Sequence, residues 1–96
     1  MIYHILAKSD WQSHSPNQDY KAESLATEGF IHCAEQAQIA GVLERYYAGK
    51  TDLCMLCIDT SFLVAELKYE QAPNGETFPH IFGVINPEAI VEVKEI

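Results

Sequence analysis

Basic residues are scarce in this 96-residue chain, which carries six Lys and Arg against fourteen Asp and Glu and has a formal net charge of −8. Nucleic acids are bound largely through their phosphates, and that contact needs clustered Lys and Arg. The basic residues here stand singly along the sequence, at Lys8, Lys21, Arg45, Lys50, Lys68 and Lys94. The charge balance therefore excludes DNA as a partner and argues against RNA and against anionic membranes.

Proline, glycine and long apolar runs are also few. With four Pro, five Gly and 48% hydrophobic residues, the composition is that of a folded chain and not of a disordered or fibrous one. No apolar run approaches the roughly 20 residues that a membrane span needs. The first residues, Met1–His4, lack the basic start of an export signal. We expect one domain over residues 1–96, without a membrane segment, in the cytoplasm.

The chain has three cysteines, an odd number that is typical of a reducing compartment. Cys54 and Cys57 have the spacing of a redox pair, but they lie within the apolar run Leu53–Ile58, which is typical of a buried strand. Redox pairs lie at helix N-termini, where the thiol pKa is lowered, and residues three apart on a strand point to opposite faces. We therefore interpret both as core cysteines.

Hydrophobic periodicity predicts an α+β fold with about six strands, one long helix and one or two short helices. The long helix is predicted over residues 35–48, where Ile39, Val42, Leu43 and Tyr46 recur at helical spacing. With one long helix available as a crossover, most strands should pair antiparallel in one small twisted sheet. The predicted strands are Ile2–Leu6, Phe30–Cys33, Leu53–Asp59, Ala65–Glu70, Phe78–Ile85 and Ile90–Glu95.

The local pattern assigns these segments different environments. Leu53–Asp59 is apolar on both faces and should be a central strand. Ala65–Glu70 alternates, with Ala, Leu and Tyr inward and charged residues outward, as in a half-solvated strand. Pro73–Gly75 predicts a turn, because Pro presets its φ and Gly supplies a positive φ. Residues 7–29 are the least regular part, where short helical turns are expected.

Three of the four histidines, His4, His32 and His80, interrupt otherwise apolar strands. A buried polar group without a partner costs roughly 1–3 kcal/mol. Taken singly, each is explained by a core histidine bonded to a nearby carbonyl or carboxylate. Taken together, they predict one shared cleft in which imidazoles transfer protons or bind a ligand by hydrogen bonds. His14 lies in a Ser-rich turn and is expected to be solvated.

Zinc is a further interpretation, because three histidines with a cysteine or carboxylate meet its ligand count. The wide spacing of the histidines disfavours it, since zinc signatures place two ligands close together, and we expect no metal site. Arg45 flanks the apolar face of the predicted helix, and Glu70 and Glu76 bracket a turn from which either could reach His80. The alternative for all three is a solvated surface charge.

Several stretches together resemble a known family. In register from residue 2 to about residue 93, they are similar to domain-of-unknown-function family 952, which consists of small bacterial and plant proteins. That family in turn resembles, at a distance, the ADP-ribosyltransferase superfamily, especially its RNA 2′-phosphotransferase branch. The stretches are Ile2-Tyr-His-Ile5, Trp11, Ser24-Leu25, Glu28-Gly-Phe-Ile-His-Cys33, Arg45-Tyr-Tyr-Ala-Gly49, Gly75-Glu76 and Phe78-Pro-His-Ile-Phe-Gly83.

The resemblance implies an ADP-ribosyltransferase-like fold with a cleft for NAD or a related nucleotide. By that resemblance His4 contacts a ribose, His32 lies on the second strand of the site, and His80 or Glu76 takes the third position, where many transferases keep a catalytic Glu. His32, His80 and Glu76 are accordingly the candidate catalytic residues. The candidate ligand-binding residues are His4, Trp11, Ser24, Arg45 and Phe78, with Trp11 or Phe78 as the stacking surface.

Three functions stay open. The chain is a small ADP-ribosyltransferase-like enzyme, a non-catalytic module of the same fold that binds a small ligand, or a structural protein whose histidines organise the core. Catalysis predicts a carboxylate, Glu70 or Glu76, at the cleft, whereas binding alone needs none. The structural interpretation predicts no cleft, with each imidazole closed off by its partners.

Overall fold

The computed structural model describes residues 1–96, and its six strands form two separate three-stranded sheets. Every pairing is antiparallel. The first sheet has the order β1 (Ile2–Ala7), β3 (Leu53–Ile58), β6 (Ile90–Glu95), and the second has the order β2 (Ile31–His32), β5 (Thr77–Phe82), β4 (Glu66–Gln71). The α+β class and the six strands are confirmed, but the prediction of a single sheet was wrong.

The division into two sheets follows from the length of β2. This strand has only two residues, which pair with Ile81 and His80 of β5, so it cannot extend a ladder along β1. The two sheets instead meet at one isolated bridge, where the Tyr3 and Ala34 backbones exchange hydrogen bonds of 2.9 and 2.8 Å. The seam between the sheets begins at this bridge.

β3 lies in the centre of the first sheet and is buried on both faces. One face, formed by Cys54, Leu56 and Ile58, joins the main core between the two sheets. The other face, formed by Leu53, Met55 and Cys57, packs beneath the long helix. Both the central strand and the core cysteines are confirmed, and all three thiols are free and buried.

The predicted helix over residues 35–48 is divided in the structure. A 3-10 turn at Gln36–Gln38 precedes the α-helix, and the Gln38 side chain accepts a hydrogen bond of 2.9 Å from the Glu35 N–H. The helix ends before Gly49, whose φ of 75° redirects the chain towards β3. The three α-helices are α1 (Lys8–Gln12), α2 (Glu23–Thr27) and α3 (Ile39–Tyr46), and none is long and apolar enough to cross a membrane.

β4 and β5 form a hairpin closed by the predicted turn. The Gly75 N–H donates to the Ala72 carbonyl at 2.9 Å, and Gly75 has a φ of 90°, which a side chain would disfavour. Leu67 packs against the main core as expected. Tyr69 does not, because the edge strand leaves it half exposed, and its hydroxyl donates to Glu35 instead.

Truncating the centre of β3 should measure how far the two cores depend on this strand. Leu56 is fully buried, so Leu56→Ala leaves a cavity and should lower the free energy of unfolding by about 3 kcal/mol. Val64→Ala, at a residue that is 85% exposed, should change it by less than about 0.5 kcal/mol. Urea denaturation measures both, and equal effects would contradict the assigned core.

Candidate functional site

A cleft of about 470 Å³ opens at the seam between the two sheets. Thirteen residues line it, nine of them hydrophobic. The volume lies within the roughly 300–1,000 Å³ typical of small-molecule sites. His4 of β1, His32 of β2 and His80 of β5 all line this cleft, so the three sequence-predicted histidines are brought together.

The His4 imidazole is the most buried of the three, with 7% of the residue exposed. Its Nδ1 lies 2.6 Å from the carbonyl oxygen of His32, and because a carbonyl can only accept, Nδ1 carries the proton. Burial lowers the pKa of His4, the largest effect on it, so the ring is held neutral. This bond joins β1 of one sheet to β2 of the other.

The second ring nitrogen of His4, Nε2, makes no hydrogen bond within the chain. No side-chain nitrogen or oxygen in the structure is both sealed from solvent and unpaired. Nε2 therefore keeps some exposure to solvent, and His4 is among the residues that line the cleft. A neutral imidazole with Nδ1 protonated presents a lone pair at Nε2, so this atom accepts hydrogen bonds.

His80 and His32 are each held by one carboxylate. His80 Nδ1 lies 2.7 Å from Glu70, and His32 Nε2 lies 3.1 Å from Glu28. The two rings meet edge to face with centroids 5.3 Å apart, and Phe30 stacks on His80 at 4.1 Å. Of the two predicted carboxylates near His80, Glu70 reaches it. Because a carboxylate accepts, these two nitrogens carry hydrogens, and in the neutral form of each ring the lone pair lies at His80 Nε2 or His32 Nδ1.

The walls of the cleft are aromatic and carry no formal charge. No Lys, Arg, Asp or Glu lines it, and its aromatic residues besides histidine are Tyr3, Tyr46, Tyr47 and Phe78. Of the candidate ligand-binding residues besides histidine, Phe78 lines the cleft. The Tyr47 hydroxyl donates to the Ile5 carbonyl at 3.2 Å, and burial raises its pKa. Burial also raises the pKa of the Cys33 thiol, which lines the cleft, so that thiol stays protonated.

Glu76 and Arg45 lie together, but outside the lining of the cleft. Arg45 Nη2 donates to Glu76 at 2.8 Å in an ion pair that is partly exposed on both sides. This bond, followed by a smaller one from Asn74, holds the pKa of Glu76 below its usual range. Arg45 and Glu76 thus pair with each other, and neither side chain lines the cleft.

Trp11 and Ser24 also lie away from the cleft. Trp11 stacks on His14 at 5.0 Å and tilts against Tyr20 at 5.9 Å, behind the His4 ring, which contacts Tyr20 at 5.6 Å. The Ser24 hydroxyl donates to the Phe30 carbonyl at 2.8 Å and so fixes the chain entering β2. Both have structural partners in this fold. The structure contains no group of three His, Cys, Asp or Glu side chains arranged to hold a metal ion.

Residues 5–93 match the protein family described as "Protein of unknown function (DUF952)", which is nearly the whole chain. The chain belongs to the DUF952 family. None of the curated proteins matches this DUF952 chain.

Solved structures of protein CC0527 from Caulobacter crescentus share the fold. A crystal structure of that protein and one of its double mutant each have a TM-score of 0.83 and 22% identity, and cover 96% of this chain and 82% of that chain. Its solution NMR structure has a TM-score of 0.82. None of these matches is described as an ADP-ribosyltransferase, so that part of the sequence resemblance stays a prediction.

Sequence reasoning missed several residues at the cleft of this DUF952 protein. Glu28 was quoted only within the family resemblance and was given no role, although it precedes His32 by four residues across the turn that enters β2. The aromatic walls were missed because Tyr3 was treated only as part of the strand Ile2–Leu6 and Tyr46 only as part of the apolar face of the helix. Tyr46 is 63% exposed and lines the cleft instead.

The buried His4 ring should make the stability of the DUF952 protein depend on pH. Its pKa lies below the ordinary value of about 6.5, so the unfolded chain binds the proton first as the pH falls. The free energy of unfolding should therefore decrease below about pH 6.5. His4→Gln, whose amide can still donate to the His32 carbonyl, should remove part of that decrease.

Urea denaturation at about pH 7.5 and about pH 5.5 measures the effect in both proteins. All other titrating groups are the same in the two proteins, so the difference between their pH dependences measures the contribution of His4 to stability. Identical pH dependences would show that His4 is not held neutral by burial.

Proposed function

We propose that this protein binds a small planar molecule in the cleft between its two sheets. The observation that carries the proposal is the unpaired Nε2 of His4, a polar atom of an almost fully buried residue that lines an apolar cleft. A cleft with a mainly hydrophobic lining and a few convergent polar groups, here the imidazoles of three strands, is the arrangement of a small-molecule site.

The geometry supports binding by stacking and by hydrogen bonds. His4, His32 and His80 come from three different strands, and each has one ring nitrogen committed to a protein acceptor. These commitments fix the tautomers before a ligand arrives, which lowers the entropy cost of binding. The aromatic side chains of the cleft supply flat apolar surface for a ring.

ADP-ribosyl transfer from NAD is the second candidate. His4 and His32 line one cleft, as the resemblance to that superfamily implies. An oxocarbenium-like transition state needs a carboxylate beside it, but no carboxylate lines the cleft, and Glu70 is engaged with His80. We therefore place binding before catalysis. His80, oriented by Glu70, would be the general base of any acid–base reaction here.

Nicotinamide, adenosine and NAD are suitable probes for the cleft. In ¹H–¹⁵N NMR titrations at least one should shift amide signals of β1, β2 and β5 around the cleft. His80→Gln should weaken that binding roughly five- to tenfold, the effect of losing one hydrogen bond of about 1 kcal/mol. His14→Gln is the matched control, because His14 lies outside the cleft, and it should leave the dissociation constant unchanged.

Two results would contradict the proposal. One is the absence of any shift around the cleft with all three probes at millimolar concentration. The other is equal weakening by His80→Gln and His14→Gln. Release of nicotinamide from NAD, lost in His80→Gln, would instead move the transferase candidate to first place.

A further inference from the structure

We infer that the cleft selects planar cations, such as amidinium groups and protonated aromatic amines, over anions of the same shape. The inference rests on the proposed function, and it names the class of ligand. Glu28 and Glu70, which hold His32 and His80, are the charges that produce the selection. Three observations carry it: the tautomers of the imidazoles, the charges around the cleft, and its walls.

The hydrogen-bonding groups of the cleft are acceptors. His4 donates through Nδ1 to a carbonyl, and His80 and His32 donate to carboxylates through Nδ1 and Nε2. In its neutral form each ring therefore has only a lone pair left for a ligand. A ligand rich in N–H groups satisfies such acceptors, whereas a carboxylate or phosphate brings further acceptors and satisfies none.

The charges behind the imidazoles are negative. Glu70 and Glu28 lie one ring away from the ligand space, at 2.7 and 3.1 Å from their histidines. No basic residue lines the cleft. The basic residues of the flanking segments have partners: Arg45 pairs with Glu76, Lys68 lies 3.7 Å from Glu66, and Lys50 lies over the Tyr47 ring at 5.7 Å.

The aromatic walls of the cleft also favour cations over anions. The faces of aromatic rings attract cations, by about 0.5–2 kcal/mol depending on desolvation. The aromatic residues that line the cleft besides histidine are Tyr3, Tyr46, Tyr47 and Phe78. The net charge of −8 draws cations towards the protein from further away.

Three probes of one shape test the inference: benzamidine, a cation; benzamide, its neutral counterpart; and benzoate, an anion. They are titrated into the whole chain by ¹H–¹⁵N NMR at about pH 8, where an ordinary histidine is neutral. We expect benzamidine to bind roughly tenfold more tightly than benzamide, and benzoate to bind most weakly.

Glu70→Gln removes one charge and keeps a group that can accept from His80. This variant should raise the dissociation constant of benzamidine roughly fivefold and change that of benzamide by less than about twofold. Glu66→Gln is the matched control, because it removes the same charge from the same strand at a residue that does not line the cleft. It should change the dissociation constants of both probes by less than about twofold. Glu28→Gln provides a second variant in case Glu70→Gln fails to fold. It should likewise weaken the binding of benzamidine and leave that of benzamide nearly unchanged.

The outcomes separate the inference from the proposed function. Benzamide or benzoate binding as tightly as benzamidine would overturn the inference and leave the cleft as a binding site. Equal effects of Glu70→Gln and Glu66→Gln on benzamidine would show that general surface charge causes the preference, and would also overturn it. If none of the three probes shifts signals around the cleft, the inference fails, and the titrations with nicotinamide, adenosine and NAD decide the proposed function.

Discussion

The hydrogen bond from His4 Nδ1 to the His32 carbonyl is the contact on which the cleft depends. It joins the first sheet to the second at a place where their strands exchange only one backbone bridge, between Tyr3 and Ala34. The bond crosses the seam from within the core, so it fixes a buried ring whose residue also lines the cleft. The same contact thus stabilises the fold and forms the site.

A second consequence concerns the charge state of the site. Burial lowers the pKa of His4, and with Nδ1 donating to the His32 carbonyl the neutral ring has its lone pair at Nε2. His80 and His32 donate to Glu70 and Glu28, so the neutral form of each also has one lone pair left. The sequence assigned His4 to ligand binding and the other two to catalysis, whereas in their neutral forms all three imidazoles are acceptors. The cleft around them is lined by aromatic residues and by no basic residue, which also favours a cationic ligand over an anionic one.

The sequence predicted the local elements well and the long-range arrangement less well. The apolar run of β3 and the turn at Gly75 depend on neighbouring residues, and both were predicted correctly. The division into two sheets depends on the shortness of β2, where Ala34 turns away to pair with Tyr3, and no periodicity reveals that. The histidines were found because each breaks an apolar strand. Their partner Glu28 and the exposed side of Tyr46 depend on packing between distant segments and were missed.

Long-range ¹H–¹⁵N NMR of the histidine side chains tests the central claim most directly, because it reports which ring nitrogen carries the proton. The account predicts that His4 is neutral and protonated at Nδ1, with a lone pair at Nε2, at about pH 7. A His4 ring protonated at Nε2, or one exchanging between both tautomers as an exposed imidazole does, would contradict the account. The bond across the seam would then be absent, and with it the acceptor that we assign to the cleft.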